Sequence, residues 1–219
     1  MAVMQRYADI PVSNPVLSKD HYTETEYLDF ERLAQGRWKF LPIEPLGLPG
    51  PRLGIIRAMS GGTPNHSEIA SNLIMALGSA LRGKGNRMCH VFNSNLQIHT
   101  ENGLNSFPDV SIVCGKPLTY GKRHDIVTNP ILLAEVLSPS TEAYNRGEKW
   151  MQYQSIPTLQ HFLLISADKM HMELYTRDEP GWRFQTFTEA NPDAGIPLPG
   201  LDISISLTGI YALVEFDDE

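Results

Sequence analysis

Three short apolar runs, at 110–114, 131–137 and 162–165, constrain the fold of this chain most. Each run is bounded by polar or turn-forming residues. Their lengths suit buried strands, whereas buried helices usually run to ten residues or more. We therefore expect these runs to be neighbouring strands of one sheet.

A long amphipathic helix is predicted at 66–82. Its apolar side chains Ile69, Leu73, Leu77 and Leu81 follow one another at intervals of four residues. This spacing places them on one face of a helix, while polar residues occupy the opposite face. We expect the apolar face to pack on the sheet.

The rest of the pattern predicts one α+β domain. A helix is expected over 23–36 and a β-hairpin over 171–188. The predicted fold class is thus α+β, with a mixed β-sheet flanked by helices. We divide the chain into an extended lead-in at 1–19, a single domain at 20–212 and a solvated acidic tail at 213–219.

The composition is that of an ordinary globular chain, with 42% hydrophobic and 20% charged residues and a net charge of -7. No apolar run approaches the ~20 residues of a membrane span, so we expect no membrane contact. Cys89 and Cys114 show no paired spacing, so we expect no disulfide framework and a cytoplasmic location. The negative charge argues against nucleic-acid binding over the whole surface but permits a local basic groove.

Two carboxylates stand in or beside the apolar runs. Asp109 immediately precedes one run, and Glu135 lies inside another. A carboxylate in an apolar setting is costly unless it is paired, hydrogen-bonded or bound to a metal. Because adjacent strands lie ~4.8 Å apart, carboxylates at matching heights could share one divalent cation. Carboxylate oxygens with water suit Mg²⁺.

A lysine on the following helix completes this hypothesis. Asn145, Lys149 and Tyr153 are spaced i, i+4 and i+8, so they share one helix face. If that face looks along the sheet, Lys149 could reach the scissile phosphate. Two carboxylates for a metal and a lysine for charge are the minimum set for metal-assisted phosphodiester hydrolysis.

Each of the three residues also has a structural interpretation. Asp109 could hydrogen-bond its own backbone at the start of a strand. Glu135 could be the buried ion-pair partner of Arg146 or Lys149. Lys149 could be an ordinary solvated lysine. The spacing alone leaves these alternatives open.

Motifs of several other enzyme classes are missing from the sequence. It contains no G-x-x-x-x-G-K-[ST] phosphate loop, no G-x-G-x-x-G dinucleotide turn and no G-x-S-x-G nucleophile motif. His66 and Glu68 match half of a zinc deaminase signature, but the required P-C-x-x-C is lacking. These two residues, at the start of the long helix, are weaker candidates for lining a cleft, and His66 could equally be structural.

Five segments, taken in order, resemble the Uma2 family, also called DUF820. They are PNHSEIASNL, FPDVSIVCG, ILLAEVLSPST, YNRGEKWMQY and IPTLQHFLLIS. This family is grouped with the PD-(D/E)XK nuclease superfamily. The resemblance implies a restriction-endonuclease-like fold, a Mg²⁺-type site and hydrolysis of DNA. It also implies that Asp109 is the first metal ligand, Glu135 the second, and Lys149 the counterpart of the superfamily's lysine.

The chain departs from the family pattern at several points. Leu137 stands where the superfamily has its lysine, two residues after the second carboxylate, and Asn145 stands where relatives usually have aspartate. The loop before His66 also lacks the family's acidic residue. The last two changes remove acidic groups near the site, so one alternative is a weakened or inactive module that binds nucleic acid or protein. The net charge of -7 favours a second alternative, a hydrolase of a small phosphorylated substrate.

The sequence thus predicts a metal-dependent endonuclease that hydrolyses DNA with Mg²⁺ or Mn²⁺. Asp109 and Glu135 are the expected metal ligands, and Lys149 completes the catalytic set. Asn145 joins His66 and Glu68 among the weaker candidates for the cleft. Nucleases of this kind often dimerise, so a homodimer is compatible with the prediction.

Overall fold

The structure, a computed structural model, describes residues 18–34, 36–43, 51–59, 61–85, 88–139 and 141–216. These residues form two compact units that divide after Met59. Residues 1–17 of the predicted lead-in and 217–219 of the predicted tail lie outside the described residues. The single domain expected over 20–212 stays a prediction.

The first unit is a small antiparallel sheet with one helix. Its elements are β1 (Tyr22–Thr23), α1 (Glu24–Leu33), β2 (Trp38–Pro42) and β3 (Leu53–Ala58). Strand β3 lies between β1 and β2. Helix α1 begins with a capping box, in which the Thr23 hydroxyl accepts from the Glu26 amide and the Glu26 carboxylate accepts from the Thr23 amide. Tyr27 and Phe40 are fully buried in the core of this unit.

The second unit contains the remaining elements. In chain order they are α2 (Pro64–Gly83), β4 (Cys89–Asn93), β5 (Gln97–His99), β6 (Asn105–Ser106), β7 (Val110–Cys114), β8 (Ile126–Val127), β9 (Leu132–Leu137), α3 (Glu142–Tyr144), a π-helical turn (Asn145–Lys149), α4 (Trp150–Tyr153), β10 (His161–Ser166), β11 (His171–Asp178), β12 (Gly181–Thr188), β13 (Ile196–Leu198), β14 (Ile203–Ile205) and α5 (Leu207–Ile210).

A mixed six-stranded sheet organises this unit, in the order β12-β11-β10-β9-β7-β4. Strands β9 and β10 are parallel, and the other neighbours are antiparallel. A parallel pair needs a crossover connection, and here it is the helical segment 142–153. The predicted hairpin is formed by β11 and β12. The α+β fold class and the neighbouring strands predicted from the apolar runs are confirmed.

Helix α2 covers one face of the sheet. It begins with Thr63 as N-cap and Pro64 in the first turn, a combination that favours helix initiation. Its apolar stripe, which includes Leu73 and Leu77, packs with alternate residues of the central strands, such as Ala134 and Leu163, in one buried cluster. The opposite face of the sheet is therefore the face available to the 142–153 segment and to the polar residues of the central strands.

The prediction of no disulfide is wrong. Cys89 and Cys114 are directly opposite each other on the antiparallel strands β4 and β7, and they form a disulfide. The residues are separated by 25 positions in sequence, and only the strand register brings them together. The expected cytoplasmic location rested partly on this point and stays a prediction.

The start of the predicted acidic tail is also packed rather than solvated. Val214 and Phe216 contact the main core cluster, and the ring of Phe216 lies 5.7 Å from that of Tyr211. The Asn65 side chain also donates to the carbonyl of Glu215. The acidic composition of this segment obscured the two apolar side chains, whose burial holds it against the second unit.

Candidate active site

The register of two strands brings the predicted carboxylates together. Val110 pairs with Ala134 in the antiparallel ladder of β7 and β9. Asp109 immediately precedes Val110 and Glu135 immediately follows Ala134, so this pair places the two carboxylates beside each other at the end of the ladder. Asp109 Oδ2 accepts a hydrogen bond of 2.8 Å from the amide of Val136. Asp109 is thus tied to the neighbouring strand and not, as one alternative held, to its own backbone.

Lys149 meets the second carboxylate directly. Its Nζ lies 2.6 Å from Glu135 Oε1, and each side chain is only 4% exposed. Lys149 is therefore a buried ion-pair partner of Glu135 rather than a solvated lysine. Arg146, the other partner considered, pairs instead with Glu142 and Glu173.

A π-helical turn carries two of the predicted residues. Asn145 and Lys149 begin and end this turn and are both buried. Such turns are rare and occur often at functional sites. Asn145 is buried without a hydrogen bond to Asp109 or Glu135 within the described residues.

Two hydroxyl groups extend the site beyond the predicted residues. The Tyr153 hydroxyl donates to Glu135 Oε1 over 2.9 Å, and it lies 2.9 Å from Ser106 Oγ. Both residues are fully buried. The sequence spacing predicts Tyr153 on the helix face of Lys149 but assigns it no role. Ser106 was missed, because a lone serine on a two-residue strand gives no signal in the sequence.

Burial and neighbouring charges shift the pKa of two of these groups. Burial raises the pKa of the Glu135 carboxyl, the Lys149 ammonium opposes the rise, and the charge of Asp109 adds to it; the pKa remains raised. Burial, and then the charge of Glu135, raises the pKa of Tyr153 well above its usual value. The Tyr153 hydroxyl therefore keeps its proton and serves as a donor.

His66 also reaches the site, whereas Glu68 does not. His66 Nε2 lies 3.3 Å from Asp109 Oδ2, and both side chains are largely buried. His66 occupies the first turn of α2, where the helix dipole favours a nearby negative charge. Glu68 is half-buried on the same helix and makes no ion pair or hydrogen bond with the site within the described residues.

The two carboxylates are of a type that fits a hydrated Mg²⁺ or Mn²⁺ ion. Within the described residues, the groups that hydrogen-bond to or pair with Asp109 and Glu135 contact Oδ2 and Oε1, which leaves lone pairs on Asp109 Oδ1 and Glu135 Oε2. The described part of the chain has no group of three or more His, Cys, Asp or Glu residues that could hold a metal ion. Mg²⁺ is commonly held by one or two carboxylates and waters, whereas structural zinc sites take four protein ligands.

The fold is of the restriction-endonuclease-like class. Residues 52–208 match the Uma2 family, described as "Putative restriction endonuclease", and the chain belongs to this family. The chain is 35% identical over 165 residues to the uncharacterized protein slr1290 of Synechocystis sp., a match that covers 74% of this chain and 83% of that one. It is 30% identical over 156 residues to the uncharacterized protein sll1609 of the same organism, covering 71% and 80%.

A solved structure shares the fold. It is the crystal structure of a "putative nuclease belonging to DUF820" from Anabaena variabilis, which superposes with a TM-score of 0.66 at 17% identity and covers 89% of this chain and 99% of that one. At this identity the likeness shows the fold alone.

None of the helices in the described ranges is both long and apolar enough to cross a membrane.

Proposed function

We propose that this protein is an endonuclease that hydrolyses DNA phosphodiester bonds with Mg²⁺ or Mn²⁺. The observation that carries the proposal is the convergence of Lys149 on Glu135 at 2.6 Å, beside Asp109, which accepts a hydrogen bond from the amide of Val136. The three residues come from different elements, and they are the carboxylate and lysine types that metal-assisted hydrolysis needs. Membership of the Uma2 family supports the same reaction class.

Asp109 and Glu135 are the residues that would hold the cation, with their carboxylate oxygens as ligands. When bound, the cation supplies Lewis-acid polarisation of a phosphate oxygen. Lys149 keeps two of its three N–H donors beyond the one directed at Glu135, and these would stabilise the negative charge that develops on the phosphate. His66 would hold the Asp109 carboxylate from the side of Oδ2.

A second candidate function is binding of nucleic acid without catalysis. Asn145 favours it, because an amide stands at a buried position beside the lysine where relatives usually carry an aspartate. An amide adds no charge for a cation, so metal affinity would be weaker than in those relatives. DNA binding without cleavage would identify this function.

Asp109→Asn is the sharpest test of the nuclease. The substituted amide oxygen can still accept from the Val136 amide, so the strand contact survives while the charge is lost. Cleavage of supercoiled plasmid with Mg²⁺ or Mn²⁺ should fall by more than about a hundredfold, because even partners of metal ligands cost 10–100-fold when removed.

The matched control is Asp168→Asn, at an exposed carboxylate in the turn before β11, which should cleave like the wild type. Equal cleavage by Asp109→Asn and the wild type would rule out this site. A wild type that cleaves a small phosphodiester but no DNA would indicate a hydrolase of small substrates.

A further inference from the structure

A buried chain of hydroxyl groups ends on Glu135. Ser106 Oγ lies 2.9 Å from the Tyr153 oxygen, which lies 2.9 Å from Glu135 Oε1. All three residues are at most 3% exposed. Ser106 comes from β6, Tyr153 from α4 and Glu135 from β9, so the chain joins three elements of the second unit.

The proton positions in this chain of hydrogen bonds follow from which of its groups can donate and which can only accept. The Glu135 carboxylate accepts, and Tyr153 has a single hydroxyl proton, so that proton points to Glu135. The Tyr153 oxygen can then only accept from Ser106. Each donor in such a chain polarises the next, which strengthens the bond to the carboxylate.

Tyr153 supplies a directional restraint that Lys149 lacks. The lysine ammonium is a compact point charge on a flexible stem, and it can approach either carboxylate oxygen. The Tyr153 ring is fixed by an edge-to-face contact with Phe162, with ring centres 5.5 Å apart. Its hydroxyl therefore donates from a fixed position, and the oxygen that accepts is Glu135 Oε1, which Lys149 also contacts.

We propose that Tyr153, held by Ser106, is a positioning residue that fixes the rotation of the Glu135 carboxylate and presents Oε2 to the cation. The inference rests on the proposed function, because it needs a cation at Asp109 and Glu135. Without the Tyr153 hydroxyl, the carboxylate can turn and share both oxygens with Lys149. The ammonium then competes with the cation for Glu135.

The test is a calorimetric titration of the full chain with Mn²⁺ alone, which needs no turnover. Tyr153→Phe should weaken Mn²⁺ binding by about 10–100-fold, the usual effect of removing a partner of a metal ligand. Ser106→Ala should weaken it less, because Tyr153 keeps its bond to Glu135. Ser106→Ala also provides a result if Tyr153→Phe does not fold.

The matched control is Tyr211→Phe. Tyr211 is also a buried tyrosine, and its hydroxyl makes hydrogen bonds to the carbonyls of Ser166 and His171. A role limited to stability would make Tyr153→Phe and Tyr211→Phe alike, with altered melting but wild-type Mn²⁺ affinity. Only a positioning role weakens Mn²⁺ binding in Tyr153→Phe and spares it in Tyr211→Phe.

The outcomes separate this inference from the proposed function. If the wild type binds Mn²⁺ and Tyr153→Phe binds it equally well, the positioning role is overturned and the metal site stands. If the wild type binds no Mn²⁺, the metal site fails, and the positioning role fails with it. If Tyr153→Phe weakens Mn²⁺ binding and Tyr211→Phe leaves it at the wild-type level, both the metal site and the positioning role are supported.

Discussion

Lys149 and Glu135 form a buried ion pair, with Nζ 2.6 Å from Oε1. The sequence offered a structural and a functional interpretation of these residues, and the structure shows that the two are compatible. Lys149 supports the fold as the partner of Glu135, and under the proposed function it also supplies positive charge at the site. A variant of either residue therefore affects stability as well as chemistry, and the experiments must separate the two effects.

Breaking this pair from one side should be costly. Lys149→Met leaves the buried Glu135 carboxylate without the lysine ammonium, and Glu135→Gln leaves the buried Lys149 ammonium without the carboxylate. We expect each to lower the free energy of unfolding by about 3–5 kcal/mol, measured by urea denaturation. The double variant Glu135→Gln/Lys149→Met should recover much of the loss, because no unpaired charge remains.

The control for this experiment is the exposed pair Lys84–Asp202, at 3.5 Å. Lys84→Met should change the stability little, because water screens both charges. If Lys149→Met costs no more than Lys84→Met, the buried ion pair is not formed in solution.

Mn²⁺ should stabilise the wild type against heat. Binding to the native state at a hundredfold excess over Kd contributes about 2.7 kcal/mol. For a chain of this size that is a rise of roughly 5–10 °C in Tm, measured by differential scanning calorimetry. Asp109→Asn should show little of this rise, whereas Asp168→Asn should show all of it.

Asp109→Asn also has an expected effect on Tm in the absence of metal. The charge of Asp109 raises the pKa of Glu135, so it disfavours the ionised form of that carboxylate. Asp109→Asn should consequently melt no lower than the wild type in the absence of Mn²⁺. A large loss of Tm would mean that Asp109 is mainly a structural ligand of the strand.

Leu73 tests the packing of α2 on the sheet. It is fully buried in the core cluster, and Leu73→Ala should cost about 2–5 kcal/mol in the free energy of unfolding. Met75, on the same helix, is 59% exposed, so Met75→Ala should change stability by less than about 0.5 kcal/mol. Similar losses in both variants would contradict the orientation of the helix.

Protonation of His161 should lower the stability of the protein in mild acid. Its Nε2 donates to the carbonyl of Pro199 over 2.7 Å, and burial lowers its pKa below the ordinary value of 6.5. As the pH falls, His161 is therefore protonated in the unfolded chain before it is protonated in the folded chain. The stability that neutral His161 contributes is complete above pH 6.5 and is lost as the pH falls through the lowered pKa of the folded state.

Urea denaturation between pH 7.5 and pH 5 would measure this effect. One proton gives a slope of at most about 1.4 kcal/mol per pH unit. His161→Gln should flatten the profile relative to the wild type, while His90→Gln, at an exposed histidine, should leave it unchanged. An unaltered slope in His161→Gln would assign the acid sensitivity to other groups.

Local pattern was enough to predict the strands and helices that carry the site. The apolar runs around Val110 and Leu133 and the four-residue spacing from Ile69 to Leu81 appear in the structure as strands and as a helix packed on them. These features depend on residues close together in sequence, where side-chain periodicity decides which face is buried. The same is true of the Thr23 capping box.

Relationships between distant residues were harder to predict. The disulfide of Cys89 and Cys114 depends on the register of β4 against β7, and the contact of Ser106 with Tyr153 depends on where β6 lies beside α4. Neither follows from spacing, since a one-residue change of register would place every side chain on the other face. The position of Asp109 beside Glu135 required the same knowledge of register.

The π-helical turn also has a consequence for how this segment can change length. A π turn behaves as an α-helical turn that contains one inserted residue. If one residue such as Gly147 were deleted, the turn could return to regular α geometry while α4 stayed nearly in phase with α3, because the wider π turn already absorbs one extra residue. Arg146 and Tyr153 could then keep their contacts with Glu173 and Glu135. This turn is thus the place where the segment can change its length by one residue.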